Sequence, residues 1–485
     1  MDHRTAHARP LQRVGGARSL LTVVIAATST ALACSTGEPA SPNNPATIAG
    51  PPTYIRDVAP ILQHRCVKCH YEGGIGPFAL TSYELARAMA PAIVVETGAR
   101  RMPPWGAQDT AECKPPLPWH DDERLSDEEI RTLRDWDRGG ALVGDPATGP
   151  VETVPVQSLE LTTPSLDVTT RAPYTPVASA LDEFRCFVLD APEIEAGGYI
   201  SALHVVPGNR KIVHHVTVFT DADGLLSKKR AGPDGSFDCP PGSNIEIASS
   251  LDGTPRFATI LQWAPGAKPL ELPAGAGIEV LPNSKIVMEV HYSTGGKQPE
   301  PDRTRLQVLL SPTKPDRIVS LWGVGNLSAR LDNGDGLLPG DDDTNGEIEF
   351  RIPAHARRHV ETMEITYPND QPLSLFGFRP HAHLAAIDLK VDIVHDGIPQ
   401  CMVEDRWDFH WQRTYTYDAP QEALPLLHKG DKVRIRCTYD NSMANIRLAQ
   451  ELRARELQPM DIPLGNDTLS EMCLVDLLFM QKVAR

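Results

Sequence analysis

Past residue 160 the chain alternates apolar and polar positions in short runs. Lys285-Ile286-Val287-Met288-Glu289-Val290-His291-Tyr292 and Asp388-Leu389-Lys390-Val391-Asp392-Ile393-Val394 are two of them. Alternation puts one set of side chains on each face of an extended segment, which marks a half-buried strand. Turn residues interrupt the pattern roughly every 8 to 12 positions, a spacing that predicts antiparallel β-sandwiches. A break at Ser311-Pro312-Thr313-Lys314-Pro315 divides this region into two β domains, 161–312 and 313–485. No internal repeat is evident.

Ahead of residue 142 the period lengthens to that of a helix. Tyr54 to Leu62 forms one amphipathic segment, and Leu125 to Trp136 opens another. Ser126 with Glu129 three positions on is a capping box, in which two backbone donors at a helix start are satisfied reciprocally. Residues 54–141 therefore read as a small α-helical module, joined to the β region by a linker at 142–160. At 485 residues with 41% hydrophobic content, the chain has material for about three domains. Forty-four prolines and 36 glycines favour short strands and turns over long helices.

The front of the chain reads as an export signal. Arg4, Arg9, Arg13 and Arg18 precede an apolar run from Leu20 to Ala33, shorter than the ~20 residues of a spanning helix. Residues 1–33 would be removed, and 34–53 form a polar, proline-rich linker. The run ends Ala31-Leu32-Ala33-Cys34, which resembles a bacterial lipoprotein signal with Cys34 as the acylated residue; plain signal-peptidase cleavage is the alternative. The expected location is the periplasm or cell surface, lipid-anchored, or else secreted. Removing the segment moves the formal charge from −16 to −19. So acidic a surface argues against nucleic acid and anionic lipid as partners, leaving a lipid anchor as the expected membrane contact, and would suit a basic exported redox protein.

Two groups of residues carry the chemistry. Cys66-Val67-Lys68-Cys69-His70 has the spacing for covalent attachment of a c-type haem, with two thiols for the porphyrin and His70 for the iron. Met102 stands between that motif and the last helix of the module. It is either the second axial ligand or a buried methionine packed on the haem edge. Six further candidates lie in the β region: His214, His215, His291, His381, His383 and Met472. Imidazole and thioether without carboxylate suit copper cycling between its two oxidation states. His381 and His383 are two apart, so on a strand both point to one face. His214 and His215 are adjacent and would face opposite ways, unless the backbone bulges or ends there.

Six cysteines remain once Cys34, Cys66 and Cys69 are set aside: Cys113, Cys186, Cys239, Cys401, Cys437 and Cys473. An even number in an exported chain fits disulfides, with fifteen connectivities open. The acidic stretch Asp332 to Asp343 reads as an exposed loop, with calcium binding the less favoured alternative. His204, His355, His359, His395, His410 and His428 read as surface or core residues, and His410-Trp411 as part of an aromatic strand.

Taken in order, Arg185-Cys186-Phe187, Val213-His214-His215-Val216, Gln262-Trp263-Ala264-Pro265-Gly266, Glu289-Val290-His291-Tyr292, Arg379-Pro380-His381-Ala382-His383-Leu384, Cys437-Thr438-Tyr439 and Glu471-Met472-Cys473 resemble the copper type II, ascorbate-dependent monooxygenases. That is the family of peptidylglycine alpha-hydroxylating monooxygenase and dopamine beta-monooxygenase. The resemblance covers about 300 residues. It implies two jelly-roll-like domains flanking a cleft, and two separate copper ions. His214, His215 and His291 would hold the electron-transfer copper, and His381, His383 and Met472 the oxygen-binding one. It also implies a Cys437–Cys473 disulfide and an external reductant, ascorbate or a redox protein. Arg379 sits where peptide hydroxylases hold a substrate carboxylate. Asp476, however, replaces a tyrosine, Leu474 an asparagine and Glu289 a glutamine, so Arg379 and Asp476 either pair or favour a cationic substrate.

The expected activity is hydroxylation of an activated C–H bond of a small molecule or peptide by dioxygen, with electrons relayed through the fused haem. A non-catalytic haem and copper electron-transfer lipoprotein and a peroxide-releasing oxidase are the rival readings.

Overall fold

Alternating segments pair into a mainly antiparallel β architecture in the computed structural model. It describes residues 50–148, 159–177, 182–228, 232, 234–239, 256–294, 300–344, 346–465 and 469–483. The expected export signal and Cys34 lie outside the described residues. No described helix is long and apolar enough to cross a membrane.

Three large sheets carry the β region. In the first half Ser236–Asp238, Asp182–Leu189, Lys285–Ser293, Val213–Asp221 and Phe257–Trp263 lie side by side. In the second half the order is Gly336–Leu337, Arg357–Thr366, Lys432–Asp440, Ala386–His395 and Ile398–Asp405. The third sheet has ten strands and belongs to both halves. Its strand Ala276–Val280 runs parallel to Arg317–Gly325, with Ala276 opposite Arg317 and Gly277 opposite Ile318. Each five-stranded sheet presents an apolar face inward. Val216, Val218, Met288 and Val290 line it in the first half, and Leu389, Val391, Val433 and Ile435 in the second. All eight belong to one hydrophobic cluster that runs through both halves, so the sandwiches expected as separate bodies share a core and a sheet.

The helical segments before residue 142 surround a small core of their own, made by Tyr54, Val58, Leu62, Leu133 and Trp136 among others. Helix Asp127–Arg138 starts with the expected capping box: Ser126 Oγ accepts from Glu129 N–H at 3.1 Å, and Glu129 Oε2 accepts from Ser126 N–H at 2.7 Å. The chain between Pro103 and His120 leaves that core and joins the β region. Ala107 bridges to Asp405 and Trp119 to Tyr417 in antiparallel fashion, Cys113 is disulfide-bonded to Cys401, and Trp119 stacks on Tyr417 with ring centroids 4.8 Å apart. Burying two tryptophans here, Trp105 and Trp119, removes a large apolar area from water.

All six remaining cysteines pair. Besides Cys113–Cys401 there are Cys186–Cys239 and Cys437–Cys473, the last as the resemblance implied. The acidic stretch is less open than expected. Asp335 is buried, accepting from Thr366 N–H at 3.1 Å and from the Thr366 hydroxyl at 2.7 Å. Its carboxylate thus fixes a strand end rather than facing water.

Candidate metal centres

The first trio is assembled by a strand pair with a defect. On Val213–Asp221 and Lys285–Ser293, His215 stands opposite His291, and the register slips between Val213 and His215. His214 is the extra residue of that bulge, which turns its ring toward the side that His215 already faces. The result is convergence of three imidazoles on Nδ1. His215 Nδ1 lies 3.2 Å from His214 Nδ1 and 3.1 Å from His291 Nδ1. Phe184, opposite His291 on the neighbouring strand, stacks on its ring at 4.3 Å and holds it in place. Burial, together with the adjacent imidazoles, lowers the pKa of His215 well below its ordinary value. A neutral imidazole offers a lone pair to a metal; a protonated one does not.

The second group forms at a strand end. Leu373–His381 pairs with Leu474–Lys482, His381 opposite Leu474 at the last rung, and beyond it the backbone N–H groups of His383 and Met472 both donate to the Glu471 carboxylate. The rings of His381 and His383 are 5.6 Å apart. Here Nδ1 is the occupied nitrogen. His381 Nδ1 is 2.9 Å from Gln412 Oε1, and His383 Nδ1 donates to the Ser470 carbonyl at 2.8 Å. Engagement of Nδ1 by an outer partner fixes tautomer and orientation and makes Nε2 the nitrogen that would serve an ion. Burial lowers the pKa of His381 to about 3, keeping it neutral.

Glu471 ties this group together. Its carboxylate accepts from the backbone N–H of His383 at 2.8 Å, Ala385 at 2.6 Å, Ala386 at 3.2 Å and Met472 at 3.1 Å. Burial pushes its pKa up to about 7 against the pull of those donors. The Tyr439 hydroxyl donates to the Met472 carbonyl at 2.7 Å, and the adjacent Cys437–Cys473 disulfide links the same two strands.

Two histidine groups thus stand one on each half of the β region, and known sequences match both halves. Residues 168–299 match the copper type II ascorbate-dependent monooxygenase N-terminal domain, and residues 349–484 its C-terminal domain. The β region belongs to the copper type II ascorbate-dependent monooxygenases. Tyramine beta-hydroxylase of Caenorhabditis briggsae is 20% identical over 310 residues, which are 62% of this chain and 48% of that protein. The chain thus spans about half the length of the curated relative it matches. Among solved structures, the major capsid protein P2 of bacteriophage PM2 aligns over 66% of this chain and 98% of its own, at 10% identity and a TM-score of 0.23. The infectious bursal disease virus VP2 subviral particle aligns over 66% of this chain and 80% of its own, at 9% identity and a TM-score of 0.16. Likeness that slight carries no argument.

For a copper monooxygenase chain the other residues fall as follows. Arg379 and Asp476 face each other across two strands and pair, Nε to Oδ2 at 2.8 Å, both buried. The guanidinium is therefore already neutralised within the protein. Glu289, two before His291, is largely enclosed, and burial raises its pKa to about 7. Among the described residues Cys66 and Cys69 are the free thiols, and His70 Nδ1 donates to the Phe78 carbonyl at 3.0 Å, leaving Nε2 for a metal. Met102 lines a small cavity with Thr97, Arg100, Pro103, Leu125 and Ile130, a set that does not include His70.

Sequence pattern assigns no role to Gln412, Phe409 or Glu471, and predicts His410 only as a surface or core residue. His410-Trp411 is not on a strand: Asp408 caps a 3-10 turn, Phe409–Trp411, by accepting from His410 N–H at 3.0 Å. Side-chain capping of this kind competes with strand pairing. That turn carries His410 Nδ1 to 2.8 Å from His214 Nε2. A lone histidine after an aromatic gives no local signal for this. His395, His428 and the buried Asp431 form a further group on the surface, with His395 Nδ1 donating to Asp431 at 2.6 Å.

Proposed function

We propose that this chain is an exported copper monooxygenase that hydroxylates an activated C–H bond of an organic molecule with dioxygen. Two electrons and two protons balance the reaction: one oxygen atom enters the product as hydroxyl and the other leaves as water. His214, His215 and His291 would hold one copper through Nδ1; His381, His383 and Met472 would hold the other, through Nε2 and the thioether, which favours Cu(I). When bound, the ions would store electrons and activate dioxygen. The observation that carries the reading is the opposite use of ring nitrogens in the two groups, with Nδ1 converging in the first and Nδ1 of His381 and His383 held by outer partners in the second.

Access is provided by an open cleft of about 110 Å³ lined by His204, Gln262, Trp263, Arg379, Gln412 and Trp105 of the preceding segment. Gln412 both lines this cleft and holds His381, which brings the cleft to the second centre. Because Arg379 is paired with Asp476, its guanidinium is already engaged within the protein, whereas Arg413, which also lines the cleft, keeps a buried Nε without a hydrogen-bond partner among the described residues. Tyramine, the substrate in the name of the C. briggsae relative, is the first probe.

The thiols Cys66 and Cys69 with His70 fit a covalent haem, which would pass single electrons. The Tyr71 hydroxyl is hydrogen-bonded to Arg210, four residues before His214. Gly266 packs so closely that a Cβ there would lie 2.8 Å from Cys69 Sγ. The motif thus abuts the first β domain, which supports electron delivery to its trio; an exported redox protein or ascorbate would be the donor. Copper-loaded protein supplied with ascorbate, tyramine and labelled dioxygen should place one labelled atom in the product, and Met472→Leu should abolish this. Peroxide release with no label in the product would favour the oxidase reading. No oxygen use with any reductant would favour the non-catalytic carrier.

A further inference from the structure

One short segment of the second half touches both centres. Trp407 Nε1–H donates to the His383 carbonyl at 2.9 Å. Phe409 lies between the groups, its ring centroid 6.4 Å from that of His215, 6.2 Å from His291 and 6.3 Å from His383. His410 Nδ1 meets His214 Nε2, and Gln412 Oε1 meets His381 Nδ1. The turn is itself pinned: Gln412 Nε2–H donates to the Phe409 carbonyl at 3.3 Å, and Arg447 binds Asp408 at 3.0 Å.

We propose that Trp407–Gln412 is a cross-domain brace, in which His410 of the second β domain orients His214 of the first trio while Gln412 of the same turn orients His381 of the second. Resting on the copper reading, this assigns His410 as a positioning residue. With His214 Nδ1 turned to the ion, its Nε2–H donates to His410 Nδ1. That bond fixes the tautomer and raises the ligand's basicity; losing such a partner typically lowers metal affinity 10–100-fold. The first centre is then not set by its own domain alone.

His410→Ala tests this in a full-length chain carrying His383→Ala, so that copper loads only the first trio. Copper affinity there should fall 10–100-fold, the Cu(II) EPR hyperfine pattern should shift, and His410→Asn, whose Oδ1 can take the place of Nδ1, should restore both. In metal-free protein with His383 intact, hydrogen exchange at residues 213–216 should rise in His410→Ala and return in His410→Asn. Unchanged affinity, EPR and exchange in His410→Ala would overturn the brace while leaving the copper reading intact. Failure of the unsubstituted chain to bind copper would overturn both. Loss of one nitrogen donor from the EPR of His410→Ala would make His410 a ligand and overturn the positioning role.

Discussion

Buried charge at single residues decides much of this molecule's behaviour. Arg379 and Asp476 satisfy each other inside the ten-stranded sheet, and removing one partner leaves a buried charge uncompensated. Asp476→Ala is accordingly expected to lose roughly 3–5 kcal/mol, measured by denaturant unfolding; a loss below ~1 kcal/mol would show that Arg379 finds water or another partner. Asp405 is a different case. It accepts from the Tyr415 hydroxyl at 3.0 Å, and burial raises its pKa to about 7. Unfolded, it titrates near ~4. Between those values the folded state holds the extra proton, so stability falls as pH rises, by up to about 1.4 kcal/mol per pH unit. Asp405→Asn removes that dependence: its melting temperature relative to the parent should climb from pH 5 to pH 8, and a pH-independent difference would contradict the assignment.

At the level of elements, the strand pattern and the capping box were legible because period and cap chemistry are local. The defect at His214 was legible too, since two adjacent histidines can share a face only if a strand breaks its alternation. The turn at Phe409–Trp411 was hidden: an aromatic run reads equally as strand, and the Asp408 cap gains meaning only when Arg447 and the two centres surround it. Glu471 was hidden for a related reason, because three of its four backbone partners come from another strand end. The cysteines illustrate the same divide. Cys437–Cys473 followed from family likeness, whereas Cys113–Cys401 joins residues 288 apart and no spacing rule announces it. The strand end bearing Met472 depends on its disulfide. Replacing Cys437 and Cys473 by serine should lower stability by about 2–5 kcal/mol. It should also weaken copper retention at the second centre more than at the first, read by metal analysis after dialysis; equal loss at both would mean a global effect.

For the whole molecule, the segment from Pro103 to His120 makes the helical part an appendage woven into the second β half. Cys113→Ser with Cys401→Ser should free it. Amide exchange at Gly106 and Gln108 is expected to quicken while Lys432–Asp440 stays protected. If both change together, the segment is part of the global folding unit. The partition into a helical part and two β halves could be read from pattern, but their shared interior could not, since alternation says which face is buried and not against what.

The parallel rung between Ala276–Val280 and Arg317–Gly325 has a mechanical corollary. Two bodies joined by a shared backbone ladder are restrained from swinging about a free hinge, so widening of the space between the two histidine groups is expected from small rotations of side chains and of the turn Phe409–Trp411. Catalytic turnover in such a molecule would be gated by rotamers, on the time scale of local motion, and cross-linking its two halves should leave the reaction rate nearly untouched.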